Sequence, residues 1–260
     1  MTRYTSDLSE EQFSVIRSLL ERITKNTRPR KTDLRDIFNA LLYLLKNATK
    51  WRDIPKDFPN WKLVYYYFHL WKTTLDPETN EPLLELVWME RLRSGKHSTP
   101  SLLIIDAQSV KNTCTAQERW YDAGKKVSWI KRHIGVDTLG LPHMLGITTG
   151  NYSDRDGAKE MFLAYTWDIS LNTLEVFLVD GGYSGEKFQE WWISCFDADV
   201  QVVKRNELHT FKVLPKRWIV ERTFSWIEQC RRLWKNCERH LQTSLTMMYL
   251  AFISLILKRY

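Results

Sequence analysis

The chain contains the run Leu102-Leu103-Ile104-Ile105-Asp106, four apolar residues that end in a carboxylate. A second run of this kind, Val176-Phe177-Leu178-Val179-Asp180, is followed at once by Gly181-Gly182. Short apolar runs bounded by turn residues are typical of buried strands. Open α/β sheets place their ligand crevices just beyond such strand ends. The two runs therefore predict an α/β fold with Asp106 and Asp180 at the functional edge of its sheet.

Strand and helix patterns alternate around these two runs. Strands are predicted over about 102–106, 131–137, 143–149, 176–180 and 200–204. Helices are predicted over about 157–167, 186–196 and 216–238. A three-stranded meander followed by parallel strands is the order of a ribonuclease H-like core. We therefore expect a mixed five-stranded sheet flanked by helices.

The segment before the first strand has a helical pattern throughout. Helices are predicted over about 9–21, 33–46, 61–72 and 82–94, and Ser9 with Gln12 forms a capping-box pattern. Three short helices with basic connections indicate a helix-turn-helix-like DNA-binding unit, with a small helical packing domain as the alternative. We expect a helical DNA-binding region over 1–75, a connecting helix over 76–100, a catalytic domain over 101–240 and a C-terminal packing helix over 241–260.

Positive charge is concentrated in two parts of this 260-residue chain, whose formal net charge is +7. Residues 1–72 contain 14 Lys and Arg against 8 Asp and Glu, and residues 204–239 contain 10 against 4. Such zones suit a polyanionic partner. The two basic zones therefore indicate two places where DNA or RNA could bind.

A third carboxylate, Glu221, lies on a basic helix. On a helical wheel Arg217, Ser225 and Glu228 fall on the same side as Glu221, and apolar residues fall opposite. Alone, this pattern also fits a solvated face with ion pairs such as Arg217–Glu221, and a strand-end aspartate often only caps a turn. Together, Asp106, Asp180 and Glu221 have the ligand chemistry to hold two Mg²⁺ ions for phosphodiester cleavage.

Basic and aromatic residues near these carboxylates are candidates for DNA contact. The candidates on the second strand, after Asp180 and on the Glu221 helix are Lys131, Arg132, His133, Tyr183, Arg217, Arg222, Arg231, Arg232 and Lys235. Their contribution to affinity would be salt-dependent and largely blind to base sequence. An exposed strand face is the alternative for residues 131–133, and a turn-packing role is the alternative for Tyr183.

Other features of the sequence bear on the cellular compartment. The cysteines have neither CxxC nor zinc-ligand spacing, which indicates free thiols in a reducing compartment. Residues 1–7 are polar, unlike a signal peptide, and the apolar stretch 245–257 is shorter than the roughly 20 residues of a membrane span. We expect a cytoplasmic, nucleoid-associated protein with no membrane partner.

Motifs along nearly the whole chain resemble those of the insertion-sequence-five group of bacterial DDE transposases. The N-terminal motifs are Asp7-Leu8-Ser9-Glu10-Glu11-Gln12, Arg28-Pro29-Arg30, Leu34-Arg35-Asp36-Ile37 and Trp51-Arg52-Asp53-Ile54-Pro55. The core motifs are Ile105-Asp106-Ala107-Gln108-Ser109, Tyr121-Asp122-Ala123-Gly124, Lys131-Arg132-His133-Ile134, Asp154-Arg155-Asp156-Gly157-Ala158, Asp180-Gly181-Gly182-Tyr183 and Val220-Glu221-Arg222-Thr223-Phe224.

The resemblance implies a DDE triad at Asp106, Asp180 and Glu221 with two Mg²⁺ or Mn²⁺ ions. It also implies that the N-terminal region recognises terminal inverted repeats, and that Arg217 corresponds to an arginine of the signature around the catalytic glutamate. The expected activity is cleavage at the element's ends and transfer of the 3′-OH to target DNA, in a homodimer or larger synaptic complex.

This chain departs from the family pattern at Ser128-Trp129-Ile130, where the family usually has a glycine and a basic residue, and at Ala48-Thr49-Lys50, where it usually has a Gly-Cys pair. It departs again at Glu228, where a lysine is common. A non-catalytic DNA-binding copy and a plain metal-dependent nuclease are the alternative functions.

Overall fold

The structure, a computed structural model, describes residues 4–23, 31–72, 81–124, 126–164, 173–196, 198–203 and 216–260. The chain divides into two compact units, and neither unit is a continuous segment. One unit combines residues 1–86, 227–235 and 246–260, and the other combines residues 87–226 and 236–245. We refer to them as the helical unit and the sheet unit.

The helical unit begins with three helices: α1 (Glu10–Ile23), α2 (Leu34–Asn47) and α3 (Trp61–Lys72). The predicted capping box is present at the start of α1. The Ser9 hydroxyl accepts from Gln12 N at 3.2 Å, and Ser9 N donates to the Gln12 side chain at 3.0 Å. Helix α2 is amphipathic and buries one apolar face, and it ends at Ala48 in the left-handed conformation.

The prediction of an all-helical N-terminal region is confirmed, but its connections differ from a helix-turn-helix. Residues 48–60 join α2 to α3 and include a one-turn 3₁₀ helix at Trp51–Asp53. A helix-turn-helix has a turn of about 3–4 residues. The aromatic contacts Phe13–Phe38 at 6.0 Å and Phe38–Trp71 at 5.9 Å pack the three helices together.

The sheet unit contains a six-stranded mixed sheet. Its strands are β1 (Leu102–Lys111), β2 (Trp120–Asp122), β3 (Val127–Val136), β4 (Pro142–Thr149), β5 (Val176–Asp180) and β6 (Asp199–Val203). The sheet order is β2-β3-β1-β5-β6, and β4 pairs with β3. Strands β1, β3 and β4 form an antiparallel meander, and β5 and β6 extend it in parallel with β1. This is the predicted ribonuclease H-like topology with one additional short strand, β2.

Two helices, α5 (Asp154–Leu163) and α6 (Glu186–Phe196), supply the core on one face of this sheet. Phe162 lies 3.9 Å from Trp192 and 5.4 Å from Phe177 between ring centroids. The predicted helix end at Trp167 and strand end at Lys204 lie outside the described residues. The aromatic cluster fixes β5, and therefore Asp180, against the helices.

The helix that carries Glu221 is shorter than predicted. Helix α7 covers Trp218–Glu228, whereas the prediction extended it to residue 238. The chain leaves the helix at Cys230, which is extended, and the Trp234 indole donates to the carbonyl of Glu228. Further on, Asn236 N donates to Lys111 O at 2.9 Å and forms a parallel bridge with Asn112. Pairing beside the end of β1 therefore replaces the second half of the predicted helix.

Two helices remain: α4 (Glu81–Arg93), which precedes the sheet, and α8 (Leu241–Leu257), which ends the fold. Both were predicted, with slightly different bounds. Most side chains of α8 are buried. Within the described ranges, the structure contains no helix long and apolar enough to cross a membrane.

Candidate active site

Asp106 and Asp180 lie side by side on neighbouring parallel strands. Ile104 of β1 pairs with Leu178 of β5, and each aspartate is two residues further along its strand. Both aspartates therefore point to the same face of the sheet, because side chains alternate along a strand. The structure brings these two predicted residues together where the pairing of β1 with β5 ends. Asp180 is the last residue of β5, but β1 continues to Lys111, so the prediction that Asp106 ends its strand is wrong.

Each of the two carboxylates has one oxygen bound to backbone and the other turned towards Arg217. Asp106 Oδ1 accepts from Ala107 N at 2.8 Å, and Asp180 Oδ1 accepts from Gly182 N at 2.7 Å. The guanidinium Nη2 of Arg217 lies 3.0 Å from Asp180 Oδ2 and 3.9 Å from Asp106 Oδ2. Arg217 therefore supplies the positive charge between the two acids.

The environment of Asp106 is unfavourable for a carboxylate. Burial raises the pKa of Asp106 from its ordinary value to about 6, and the nearby Asp180 and Asp154 act in the same direction. The Ala107 N–H and Arg217 offset part of this increase. A further cation beside Asp106 would favour its charged form.

Asp154, which the sequence analysis did not select as a site residue, belongs to the same cluster. It begins α5, where the Ser153 hydroxyl accepts from Asp156 N at 3.1 Å. Its Oδ1 pairs with Lys131 Nζ at 2.8 Å. The signal in the sequence was an acidic first turn within the motif Asp154-Arg155-Asp156. Lys131 therefore faces an acid near the site.

Tyr183 lies in the core beneath the carboxylates. Its side chain is 1% exposed, and its ring packs against that of Phe188 with 5.9 Å between the ring centroids. It therefore cannot stack on a nucleotide in this structure. This corrects its predicted DNA contact in favour of the turn-packing alternative. The buried Tyr183 hydroxyl has no hydrogen-bond partner among the residues that the structure describes. Burial raises the pKa of Tyr183 well above its ordinary value, and Asp106, Asp154 and Asp180 add to the increase.

Glu221 lies on the exposed side of the first turn of α7, four residues after Arg217. Ile219, Val220, Thr223 and Phe224 are buried, so the predicted division of this helix into two sides is present over Trp218–Glu228. Among the residues that the structure describes, no three His, Cys, Asp or Glu side chains are grouped closely enough to hold a metal ion. The aspartate pair is therefore assembled without Glu221.

Arg132 and His133 are buried, which corrects the prediction that they contact DNA. Arg132 is 1% exposed and His133 is 0% exposed, because β3 lies inside the sheet and is covered on both faces. The His133 ring is 2.9 Å from the Thr148 hydroxyl. Burial lowers the pKa of His133 to about 4, so the ring is neutral at pH 7.

The remaining basic candidates are spread over α7 and the segment that follows it. The guanidinium carbon of Arg222 lies 4.5 Å from the ring centroid of Trp218 and 4.6 Å from that of Trp226. The same guanidinium donates to Leu139 O at 3.3 Å. Arg232 is buried in the helical unit and donates to Thr49 O at 2.9 Å, which corrects its predicted DNA contact. Arg231 and Lys235 are exposed, but the structure places them beyond the end of α7.

Comparison with known families identifies two matched segments. Residues 97–257 match the family model described as Transposase DDE domain, which covers more than half of the chain. Residues 8–74 match a second family described as putative transposase of IS4/5 family. No curated protein is significantly similar to the chain. The neighbouring aspartates of β1 and β5, the ribonuclease H-like sheet and the two matched segments lead to one conclusion: the chain belongs to the DDE transposases, of the IS4/5 type.

Proposed function

We propose that this transposase cuts DNA at the ends of its own insertion sequence and joins the freed 3′-OH to target DNA, with Asp106, Asp180 and Glu221 as its catalytic carboxylates. The observation that carries the proposal is the pair of aspartates on β1 and β5, whose Oδ2 atoms both face one cation, the guanidinium of Arg217. Glu221 follows Arg217 by about one helical turn and is the third acidic residue.

The chemistry of these side chains fits two Mg²⁺ or Mn²⁺ ions. Carboxylate oxygens are preferred ligands of such hard cations. Asp106 is largely buried beside other acids, an arrangement that a divalent cation would stabilise. The proposed ligands are Asp106, Asp180 and Glu221. When bound, the ions would stabilise charge on the attacking and leaving oxygens of a phosphodiester.

The protein side chains position the reacting groups. Asp106 is held by a strand that pairs on both sides, and Asp180 is held by the turn formed by Gly181–Tyr183. We propose that Arg217 leaves the carboxylates when the site is loaded, and that its guanidinium then binds a DNA phosphate. Arginine suits this role because it pairs with carboxylate and with phosphate in the same forked geometry.

DNA is the proposed partner on several surfaces. Exposed Arg231 and Lys235, and Arg222 at the surface of α7, are candidates for phosphate contacts. Two element ends must be cut and joined together, so the proposed working form is a homodimer or larger synaptic complex. Binding of this kind is expected to weaken steeply as salt concentration rises.

The test is a cleavage and strand-transfer assay on DNA that carries the element's own ends, with Mg²⁺, with Mn²⁺ and with EDTA. We expect Asp106→Asn and Glu221→Gln to lose cut and joined products while they retain end binding. Glu228→Gln is the matched control, because Glu228 is also an exposed acid of α7.

Each other outcome has a definite meaning. Full cleavage by Asp106→Asn would refute the assignment of the carboxylates. End binding without any cutting by the wild type, with either metal, would identify a non-catalytic DNA-binding protein. Cut products that are never joined would identify a nuclease without strand transfer.

A further inference from the structure

Helix α3 presents an unusual surface to solvent. Lys62, Tyr65, Tyr66 and His69 are all exposed, and their spacing of i, i+3, i+4 and i+7 places them on one side of the helix. Val64, Phe68 and Trp71 on the other side are buried. Tyr65 is 41% exposed and Tyr66 is 58% exposed. We call the four exposed residues the α3 surface.

The rings of the α3 surface are held in place by their neighbours. Tyr65 lies edge-on to Trp51 at 5.0 Å and to His69 at 4.4 Å between ring centroids. Tyr66 lies edge-on to Tyr67 at 5.4 Å. Trp51 in turn packs against the buried Phe68 at 5.1 Å. Side chains that are already ordered lose little conformational entropy when they bind a ligand.

The charge around this surface is positive. Residues 50–72 contain five Lys and Arg against two Asp and no Glu, and α3 itself has no acidic residue. Burial, together with Lys72, lowers the pKa of His69. Both effects favour the neutral ring, which offers one hydrogen-bond donor and one acceptor. Lys62 and Arg52 are also exposed, and the guanidinium carbon of Arg52 lies 5.6 Å from the ring centroid of Trp61, the first residue of α3.

We propose that α3 is the helix that reads the element's ends, with the α3 surface inserted in the major groove of duplex DNA. The inference rests on the proposed function for its ligand, the terminal repeat. The major groove admits one α-helix and displays donors and acceptors that differ between base pairs. Tyr66 and His69 carry the hydroxyl and ring nitrogens that contact base edges, and Lys62 at the start of the helix contacts a phosphate. A protein partner fits less well, because the surface combines hydrogen-bonding groups with one sign of charge.

The experiment measures binding of the full-length chain to two duplexes, its own terminal repeat and a scrambled repeat, over a range of salt concentrations. We expect Tyr66→Ala and His69→Ala to weaken binding to the repeat about 5- to 100-fold, with little effect on the scrambled duplex. We expect Lys62→Gln to weaken binding to both duplexes equally and to reduce the salt slope by about 1.

Two further variants separate recognition from folding. Tyr66→Phe keeps the ring and removes only the hydroxyl, so its effect on the repeat reports hydrogen bonding at an intact surface. Leu92→Ala is the matched control, because Leu92 is 61% exposed on another helix, α4. Thermal unfolding of each variant shows whether it is folded.

The outcomes distinguish this inference from the proposed function. If α3 variants lose specificity while the wild type neither cuts nor joins DNA, α3 is the reading helix but the catalytic proposal fails. If wild type cuts and joins, and the folded α3 variants bind both duplexes normally, α3 does not read DNA. Loss of self-association by Tyr66→Ala with unchanged DNA binding would assign the surface to a second copy of the chain and overturn the inference. Failure of the wild-type protein to bind either duplex would also overturn the inference.

Discussion

Asp137 closes the turn between β3 and β4 and shows how one residue can hold a segment of the fold. Its Oδ1 accepts from Leu139 N at 2.8 Å and from Leu141 N at 2.9 Å. Its Oδ2 accepts from Arg91 and, at 3.2 Å, from His143. Arg91 also donates to the carbonyl of His97 at 2.8 Å. Asp137 and Arg91 are both buried, so each depends on the other for charge compensation.

We expect Asp137→Asn to lower the free energy of unfolding at pH 7 by about 3–5 kcal/mol, because it leaves Arg91 buried without its counter-charge. Burial alone would raise the pKa of Asp137, but hydrogen bonds from His143, Leu141 and Arg91 lower it overall. A lowered folded-state pKa gives stability that is present above the unfolded-state pKa and is lost as pH falls through the folded-state pKa. Urea unfolding at several acidic pH values should show this loss in wild type and a flatter dependence in the variant.

The control for this prediction is Asp156→Asn, which changes an exposed aspartate of α5. It should change the stability at pH 7 by no more than about 0.5–1 kcal/mol, the cost of one helix-terminal contact. Equal stability of Asp137→Asn and wild type at pH 7 would contradict the role of the buried pair.

Tyr183→Phe should not destabilise the metal-free chain. The hydroxyl that it removes is buried and has no hydrogen-bond partner within the described part of the chain. Loss of such a group is expected to be neutral or to stabilise the fold by about 1 kcal/mol. Urea unfolding in EDTA measures the change. A decrease of more than about 1.5 kcal/mol in the free energy of unfolding would mean that the hydroxyl has a hydrogen-bond partner when the protein is in solution. A buried water molecule would be the first candidate for that partner.

Sequence patterns placed some site residues and misplaced others for identifiable reasons. Each aspartate was expected to end a strand because each ends a short apolar run. That expectation holds for Asp180 but not for Asp106, because β1 continues to Lys111 and Asp106 pairs with Ile134 of β3. Arg132 and His133 were expected at the surface because they are polar, yet they lie on a strand covered on both faces. That covering comes from segments distant in sequence, so no local pattern indicates it.

At the scale of elements, the contact between α5 and β3 leaves no room for a side chain at Gly157. A Cβ there would lie 2.1 Å from Cε1 of the buried His133 ring. Alanine normally stabilises a helix over glycine by about 1 kcal/mol. Here we expect Gly157→Ala to destabilise the protein instead. The free energy of unfolding should fall by about 2 kcal/mol, because the His133 ring and α5 must move apart. Thermal and urea unfolding measure the loss.

Gly181→Ala is the comparison for this prediction, because a Cβ at Gly181 would meet no atom of the described residues within 4 Å. It should leave stability within about 0.5 kcal/mol of wild type. If Gly157→Ala were as stable as Gly181→Ala, the packing of α5 on β3 would be looser than the structure indicates.

The C-terminal end of α7 could not be predicted from the sequence, whereas the bounds of some other elements could. Periodicity predicted β5 and α6 with their observed bounds, since both are short segments with clear local patterns. The same periodicity continues past Glu228, so a single long helix was predicted. The chain instead turns at Cys230, and the backbone of Asn236 pairs with that of Lys111. The helix therefore ends where it does because of pairing with a strand more than a hundred residues away in the sequence. Helical periodicity contains no information about such a distant contact.

At the scale of the whole molecule, the helical unit depends on the last part of the chain. Arg232 donates to Thr49 O at 2.9 Å, and Lys258 Nζ donates to Thr5 O at 2.8 Å. Buried residues of α8 such as Met247, Leu250 and Ile253 belong to the same unit. The sequence suggested a separate N-terminal region because helix patterns and basic residues are concentrated there.

We therefore expect a fragment of residues 1–86 to lack a fixed tertiary structure. Without residues 227–235 and 246–260, the apolar side of α2 loses part of its cover, and short helices are marginal in water without packing. Near-ultraviolet circular dichroism should show no ordered aromatic signal in the fragment and a clear one in the full chain. A fragment with cooperative thermal unfolding and sharp aromatic signals would contradict this.

This discontinuous unit also determines when DNA can first be bound during synthesis. A ribosome adds about 5–20 residues per second, so α1 to α3 would wait roughly 10–35 s for the residues that complete their unit. Nascent chains arrested near residue 226 should consequently fail to retain the terminal repeat in a pull-down. If they fail, a premature stop codon would produce no truncated competitor for the element's ends, and only completed transposase would occupy them.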